Sequence, residues 1–233
     1  MNHAFVRTFA CACLLGLLNK VGVCSDRPQQ PAPPAGMKLV YEHDFEDGKS
    51  DRYSPTDRTA WTLKKSDSGD SIMSLHKKNS DFKPRHRSPF NRTLINDLKV
   101  RSFVMDIQMK STIPDYNHRS LCLFFGYRDD SHLYYVHFGK KTDDHANQIF
   151  IVNDAPRTKI STKTTPGTNW DDNWHNGRVV RNVDDGTIQI YFDNMDVPIM
   201  TATDKTFTEG QVGFGSFDDI GDFDNVRVYV PEN

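Results

Sequence analysis

LCLFFGYRDDSHLYYVHFG, residues 121–139, is the stretch whose reading decides the fold. Two alternating runs, Arg119–Tyr127 and His132–Gly139, flank the polar loop Arg128–Ser131. Neighbouring side chains on a strand point to opposite faces, so alternation marks a strand with two different environments. Pairing Tyr127 with His132 sets Phe125 opposite Tyr134, Leu123 opposite Val136 and Leu121 opposite Phe138. That face is apolar along its length and belongs between two sheets. The other face then carries Phe124 opposite Tyr135, Cys122 opposite His137 and Ser120 opposite Gly139. A slip of one residue in the loop would exchange the two faces.

The same rhythm extends outward in both directions. Lys38–Phe45, Trp61–Lys65, Ser71–His76 and the long run Leu98–Lys110 read as strands on the N-terminal side. Gln148–Asn153, Arg157–Thr162, Gly177–Val183, Thr187–Phe192, Gly210–Phe217 and Phe223–Val230 follow. Asp184-Asp185-Gly186 is a hairpin turn, because glycine tolerates positive φ. No window shows a sustained helical period. Of 31 acidic residues 27 are Asp and only four are Glu, and Asp favours turns and caps over helix interiors. About a dozen short strands at this spacing predict an all-β sandwich or barrel.

The chain ends set the boundaries. Arg7, the apolar segment Phe9–Leu18 and the small residues Gly22, Cys24 and Ser25 have the layout of a secretory signal peptide over residues 1–25. This predicts a secreted protein, extracellular or periplasmic, with cleavage at Cys24 or Ser25. No other apolar run approaches membrane-spanning length. Residues 26–36, with RPQQPAPPAG at Arg27–Gly36, read as a proline-rich linker. One domain is expected over residues 37–233. Cys11, Cys13 and Cys24 fall in the leader, which leaves Cys122 and excludes a disulfide framework or a cysteine-based zinc site. Arg7 and Lys20 leave with the leader, so 27 basic residues face 31 acidic ones. That balance argues against a nucleic-acid binder.

WDDNWHNGRVVRNVDDGTIQIYFDN, starting at Trp170, carries a family resemblance. A Trp-His opening, a Val/Arg strand, a turn and a strand ending in aromatic-Asp are similar to the concanavalin A-like jelly rolls. VYEHDFEDG at 40–48, residues 121–139 and VGFGSFDDIGDFDNVRVYV at 212–230 agree with it. More loosely the chain resembles secreted 3-keto-disaccharide hydrolase-type domains. The resemblance implies a two-sheet antiparallel β-sandwich with a concave face that often holds glycans. It also implies a structural Ca²⁺ between first and last strands, with Asp44 and Asp224 as ligands. Asp224 shares a strand face with Val226, Val228 and Val230, and an acid on an apolar face needs a partner.

Candidate chemistry gathers around the hairpin. Tyr135 and His137 sit two residues apart on one face, where an aromatic can stack on a sugar and an imidazole can move a proton. With Arg119 they form the expected catalytic set. Arg87, His118, Lys140 and His145 are expected to bind substrate, since a cationic groove suits an anionic glycan. Glu42-His43-Asp44-Phe45-Glu46 matches the E-x-D-x-E pattern of glycanases, which place two carboxylates about the scissile bond. It lies at the edge of the first strand, so standard two-Glu chemistry is not expected. Asn91-Arg92-Thr93 is a glycosylation sequon. The expected function is binding of an extracellular poly- or oligosaccharide by a monomer, with hydrolase or lyase cleavage left open by the sequence. The alternative is a non-catalytic lectin-like or adhesion module.

Overall fold

The computed structural model describes residues 27–232. The leader expected over residues 1–25 lies outside the described residues. In chain order the strands are β1 (Met37–His43), β2 (Tyr53–Pro55), β3 (Trp61–Lys65), β4 (Ser71–Leu75), β5 (Asn91–Val100), β6 (Phe103–Ser111), β7 (Ser120–Asp129) and β8 (His132–Gly139). They continue as β9 (Gln148–Asn153), β10 (Thr158–Lys159), β11 (Ser161–Thr164), β12 (His175–Arg181), β13 (Thr187–Phe192), β14 (Met200–Thr203), β15 (Gly210–Ser216) and β16 (Gly221–Pro231). The only helical turn among the described residues is Arg58–Ala60. None is long and apolar enough to cross a membrane.

These strands form the expected fold class, two antiparallel sheets packed as a sandwich. A seven-stranded sheet runs β10-β9-β8-β7-β15-β5-β2. A nine-stranded sheet runs β11-β14-β13-β12-β6-β16-β4-β3, with β1 pairing the C-terminal half of β16. The deciding hairpin keeps its register from Ser120↔Gly139 to Phe125↔Tyr134. Its tip differs from expectation. Asp129, not Tyr127, pairs with His132, because β7 bulges after Phe125 with Gly126 at φ 57°. Gly186 sits at φ 86° in the expected turn between β12 and β13.

Leu121, Leu123, Phe125, Tyr134, Val136 and Phe138 enter the main core against Met105, Ile107, Val179, Ile190 and Val228. The opposite face of the hairpin is largely buried as well. Cys122, Phe124 and Tyr135 join Leu94, Leu133, Phe150, Val152 and Phe217 in a second buried cluster. The middle of this sheet is therefore covered on both sides, where the alternation predicted one covered face. The sequon is also internal. Asn91 is buried, and its amide donates to the Lys77 and Lys78 carbonyls.

Residues 27–36, expected to be a free linker, lie across the outer face of the nine-stranded sheet. Gln108 on β6 donates to the Pro28 carbonyl at 2.7 Å, Asn176 on β12 to that of Gln29 at 2.8 Å, and Arg178 to that of Ala32 at 3.2 Å. The reading of Asp224 changes as well. The β16–β6 register shifts between Asp224 and Arg227, with Asn225 at φ 51°. This bulge turns Val226 and Val228 into the core while Asp224 faces outward beside Gln108. Two-residue alternation could not reveal it.

Candidate functional site

The outer surface of the seven-stranded sheet carries a cleft of about 250 Å³ lined by Arg87, Tyr116, His118, His137, His145, Arg157, Phe217 and Asp218. Each wall comes from a different segment. β8 delivers His137, the approach to β7 delivers Tyr116 and His118, and the loop before β9 delivers His145. Arg87 comes from the loop before β5 and Arg157 from the turn after β9. Phe217 and Asp218 follow β15. The Arg157 N–H donates to the Arg87 carbonyl at 3.1 Å, which ties two of these loops together.

Phe217 is the floor. The Arg157 guanidinium lies 4.3 Å from its ring centroid, the Arg87 guanidinium 5.4 Å, and the His137 ring stacks at 6.1 Å. A cation over an aromatic face is held electrostatically without being neutralised. Neither guanidinium is ion-paired to a carboxylate among the described residues. His118 pairs with Asp143 at 3.0 Å. The cleft thus offers two fixed positive charges, two solvent-facing imidazoles and one rim carboxylate, Asp218.

His137 has a defined role in this frame. Its Nδ1 lies 2.8 Å from the His145 carbonyl, an acceptor, so Nδ1 carries the hydrogen. Its Nε2, 2.7 Å from Ser120 Oγ, then accepts the hydroxyl proton. Burial pushes its pKa down to about 4, with Arg157 and His118 adding repulsion after the opposing His145 hydrogen bond. The ring is neutral at pH 7 and both nitrogens are engaged. Serine, imidazole and carbonyl form the sequence of contacts that activates a nucleophile. Here Ser120 is fully buried beneath His137, and its N–H donates to buried Asp219 at 2.9 Å. The arrangement fixes the cleft wall; it presents no nucleophile to solvent.

The other expected site residues are dispersed. Tyr135 lies beneath Arg157, which donates to its hydroxyl at 3.0 Å, and it stacks on Phe150 at 5.0 Å. Burial holds its phenol far above the ordinary value, so it stays protonated. Arg119 points to the other side of the sheet. It donates to the Ser111 hydroxyl and carbonyl and to Asp172. Alternation explains this, since Ser120 faces the cleft and Arg119 precedes it by one residue. Lys140 pairs with Asp115 and lines a separate hollow with Pro166 and Phe192. Arg87, His118, His137 and His145 therefore converge, while Tyr135, Arg119 and Lys140 do not. Arg157, Tyr116 and Phe217 were missed: Arg157 and Phe217 read as strand ends, yet lie just outside β10 and β15, and Tyr116 sits in a loop with no periodic signal.

Asp44 and Asp224, the expected calcium ligands, have protein partners. Asp224 takes the Arg27 guanidinium, and Asp44 accepts the Glu46 N–H within its own turn at 3.2 Å. Among the described residues no three of His, Cys, Asp and Glu gather into a metal site. Glu42 pairs with Arg227 at 2.7 Å and Glu46 accepts from Lys65, so the E-x-D-x-E stretch holds the sheet edge.

The fold and cleft define a class: a two-sheet antiparallel β-sandwich with a cationic cleft, floored by Phe217, on one sheet. Solved structures agree on the fold. The carbohydrate-binding module CBM66 from Bacillus subtilis superposes with a TM-score of 0.52 at 18% identity, over 77% of this chain and 96% of that one. Domain 4 of AbnA, a GH43 extracellular arabinanase from Geobacillus stearothermophilus solved with arabinotriose, gives 0.55 at 12% identity, covering 84% and 94%. Winged bean acidic lectin, complexed with methyl-α-D-galactose, gives 0.52 at 11% identity, covering 84% and 98%. No family model matches the sequence, and no curated protein matches it.

Proposed function

We propose that the protein is a secreted, lectin-like saccharide-binding module that holds an acidic sugar in the Arg87–Arg157 cleft without cleaving it. The observation that carries this reading is the convergence of two guanidiniums without carboxylate partners over the Phe217 ring. Arginine pairs a carboxylate or sulfate through parallel hydrogen bonds, and the buried Phe217 ring holds both guanidiniums in place without neutralising them. The nature of the structural neighbours supports a saccharide over other anions. The burial of Ser120 and the doubly engaged His137 weigh for binding over turnover.

Calorimetric titration with uronate-containing or sulfated oligosaccharides and their neutral counterparts tests the reading. The acidic sugars should bind more tightly, with affinity falling as salt rises. Arg87→Ala and Arg157→Ala should each weaken binding about tenfold, an increment of roughly 1.4 kcal/mol. No new reducing ends should appear. Equal affinity for acidic and neutral sugars, or variants that bind as the parent does, would overturn it.

A further inference from the structure

The outer face of the nine-stranded sheet is unusually polar and yet covered. Asp224, Gln108 and Asn176 form one row across β16, β6 and β12, and Arg227, Asp106 and Arg178 form the next. Asp106 binds Arg178 through two bonds of 2.6 and 2.8 Å, and Asn225 donates to Gln108 at 2.9 Å. Over these rows lie residues 27–36. Arg27 supplies the charge for Asp224 and for Asp70, 3.2 Å away, and its guanidinium lies 4.3 Å from the Trp174 ring centroid. Trp174 does not enter the main core. It is buried under Arg27 and lines a hollow with Lys64, Lys110 and Asp222.

We propose that this face, from Trp174 to Arg178, is a second ligand site for a neutral, hydroxyl-rich saccharide, kept closed by residues 27–36 acting as a displaceable strap. The face presents amide and guanidinium donors, a carboxylate acceptor and an aromatic plate within one small area. An occupant must accept, donate and stack at once. The strap meets these demands piecemeal. Three of its carbonyls accept, its one cation satisfies Asp224, and that same cation covers Trp174. A pyranose does all three, because each hydroxyl both donates and accepts and its C–H face lies on a ring. Four prolines keep the strap extended and remove the backbone donor at four of its ten positions, which disfavours a ladder with the sheet. Among the described residues it is held by side-chain contacts, the Arg27 ion pairs and the Glu232 N–H bond to the Gly36 carbonyl. A ligand that took over those contacts would displace it, and the strap's occupancy lowers the apparent affinity accordingly.

The test uses the full chain with Arg27→Ala, and a second variant lacking residues 27–32. Arabinotriose and cellotriose are titrated calorimetrically, followed by an array of neutral oligosaccharides. At least one neutral sugar should bind about tenfold or more tightly to either variant than to the parent. Adding Trp174→Ala should remove the gain. Hydrogen exchange at Gln29–Ala32 reports whether Arg27→Ala has loosened the strap, and the deletion replaces it if not. Thermal melting confirms that each variant is folded. Binding of acidic sugar in the Arg87–Arg157 cleft should be unchanged, which separates this site from the other. If a folded variant with the strap loosened or deleted binds no neutral sugar better than the parent does, the proposal fails. It also fails if the peptide RPQQPAPPAG rebinds the deletion variant while every sugar is refused, because the face is then a peptide groove.

Discussion

His137 illustrates how one residue's surroundings set its behaviour. Its folded pKa of about 4 lies below the ordinary imidazole value because the ring is buried. A depressed imidazole pKa means the folded state resists the proton that the unfolded chain accepts. The stabilisation is complete above pH 6.5 and is lost as pH falls through about 4. The full span corresponds to roughly 3 kcal/mol. His137→Gln keeps a donor for the His145 carbonyl and an acceptor for Ser120. It should therefore flatten the acid limb of a stability–pH profile from urea melts while leaving the fold intact. An unchanged acid limb would mean that His137 is not buried and neutral. Asp224 acts in the opposite sense. Burial raises its carboxyl to about 7 despite Arg27, so its contribution is present at low pH and is lost as pH rises through 7. Comparing His137→Gln with its parent removes that shared background.

At the scale of the strand, bulges decide which residues meet. Gly126 has φ 57°, and a Cβ there would lie 3.0 Å from the Tyr134 ring. Gly126→Ala should cost about 1–2 kcal/mol, read as a lowered urea midpoint with unchanged slope. On the other sheet, Asp106→Asn breaks a buried ion pair and leaves Arg178 partly uncompensated. A loss of about 3 kcal/mol is expected by the same measurement. The bulges also mark where sequence reading stops. Six pairs of the β7–β8 hairpin were legible from alternation, and the Gly186 turn from its glycine. The bulges after Phe125 and Asp224 were not, because one inserted residue changes the face without changing composition. Leu98–Lys110 read as one strand, yet it spans the end of β5, a turn at Arg101-Ser102 and most of β6. Most of β5 escaped notice because Asn91, Arg92 and Thr93 are buried polar residues that break the apolar pattern.

Over the whole molecule, the sandwich makes different use of its two outer faces. The seven-stranded sheet wears a second apolar layer and opens into the Arg87–Arg157 cleft at one end. The nine-stranded sheet wears a polar layer and the strap. Four of the seven catalytic and binding residues expected from sequence fall in the cleft: His118, His137 and His145 arrive with the β7–β8 hairpin and its flanks, and Arg87 from the loop before β5. Arg157 and Phe217 enter from distant segments, and only the closed sandwich brings them there. Arg27 holds Asp224 where calcium was expected, so a chelator should leave the melting temperature unchanged. A drop of several degrees would reveal an ion that this donor set does not explain.

The proposed role of the cleft is to hold an acidic sugar and leave it whole. The most direct measurement follows the imidazole resonances of the intact protein by NMR while a uronate-containing oligosaccharide is added. The His118 and His145 rings should shift and saturate together as the anion binds. The oligosaccharide spectrum should stay that of the intact sugar. Shifts confined to histidines outside the cleft, such as His43 and His175, or the appearance of cleaved sugar, would contradict the account.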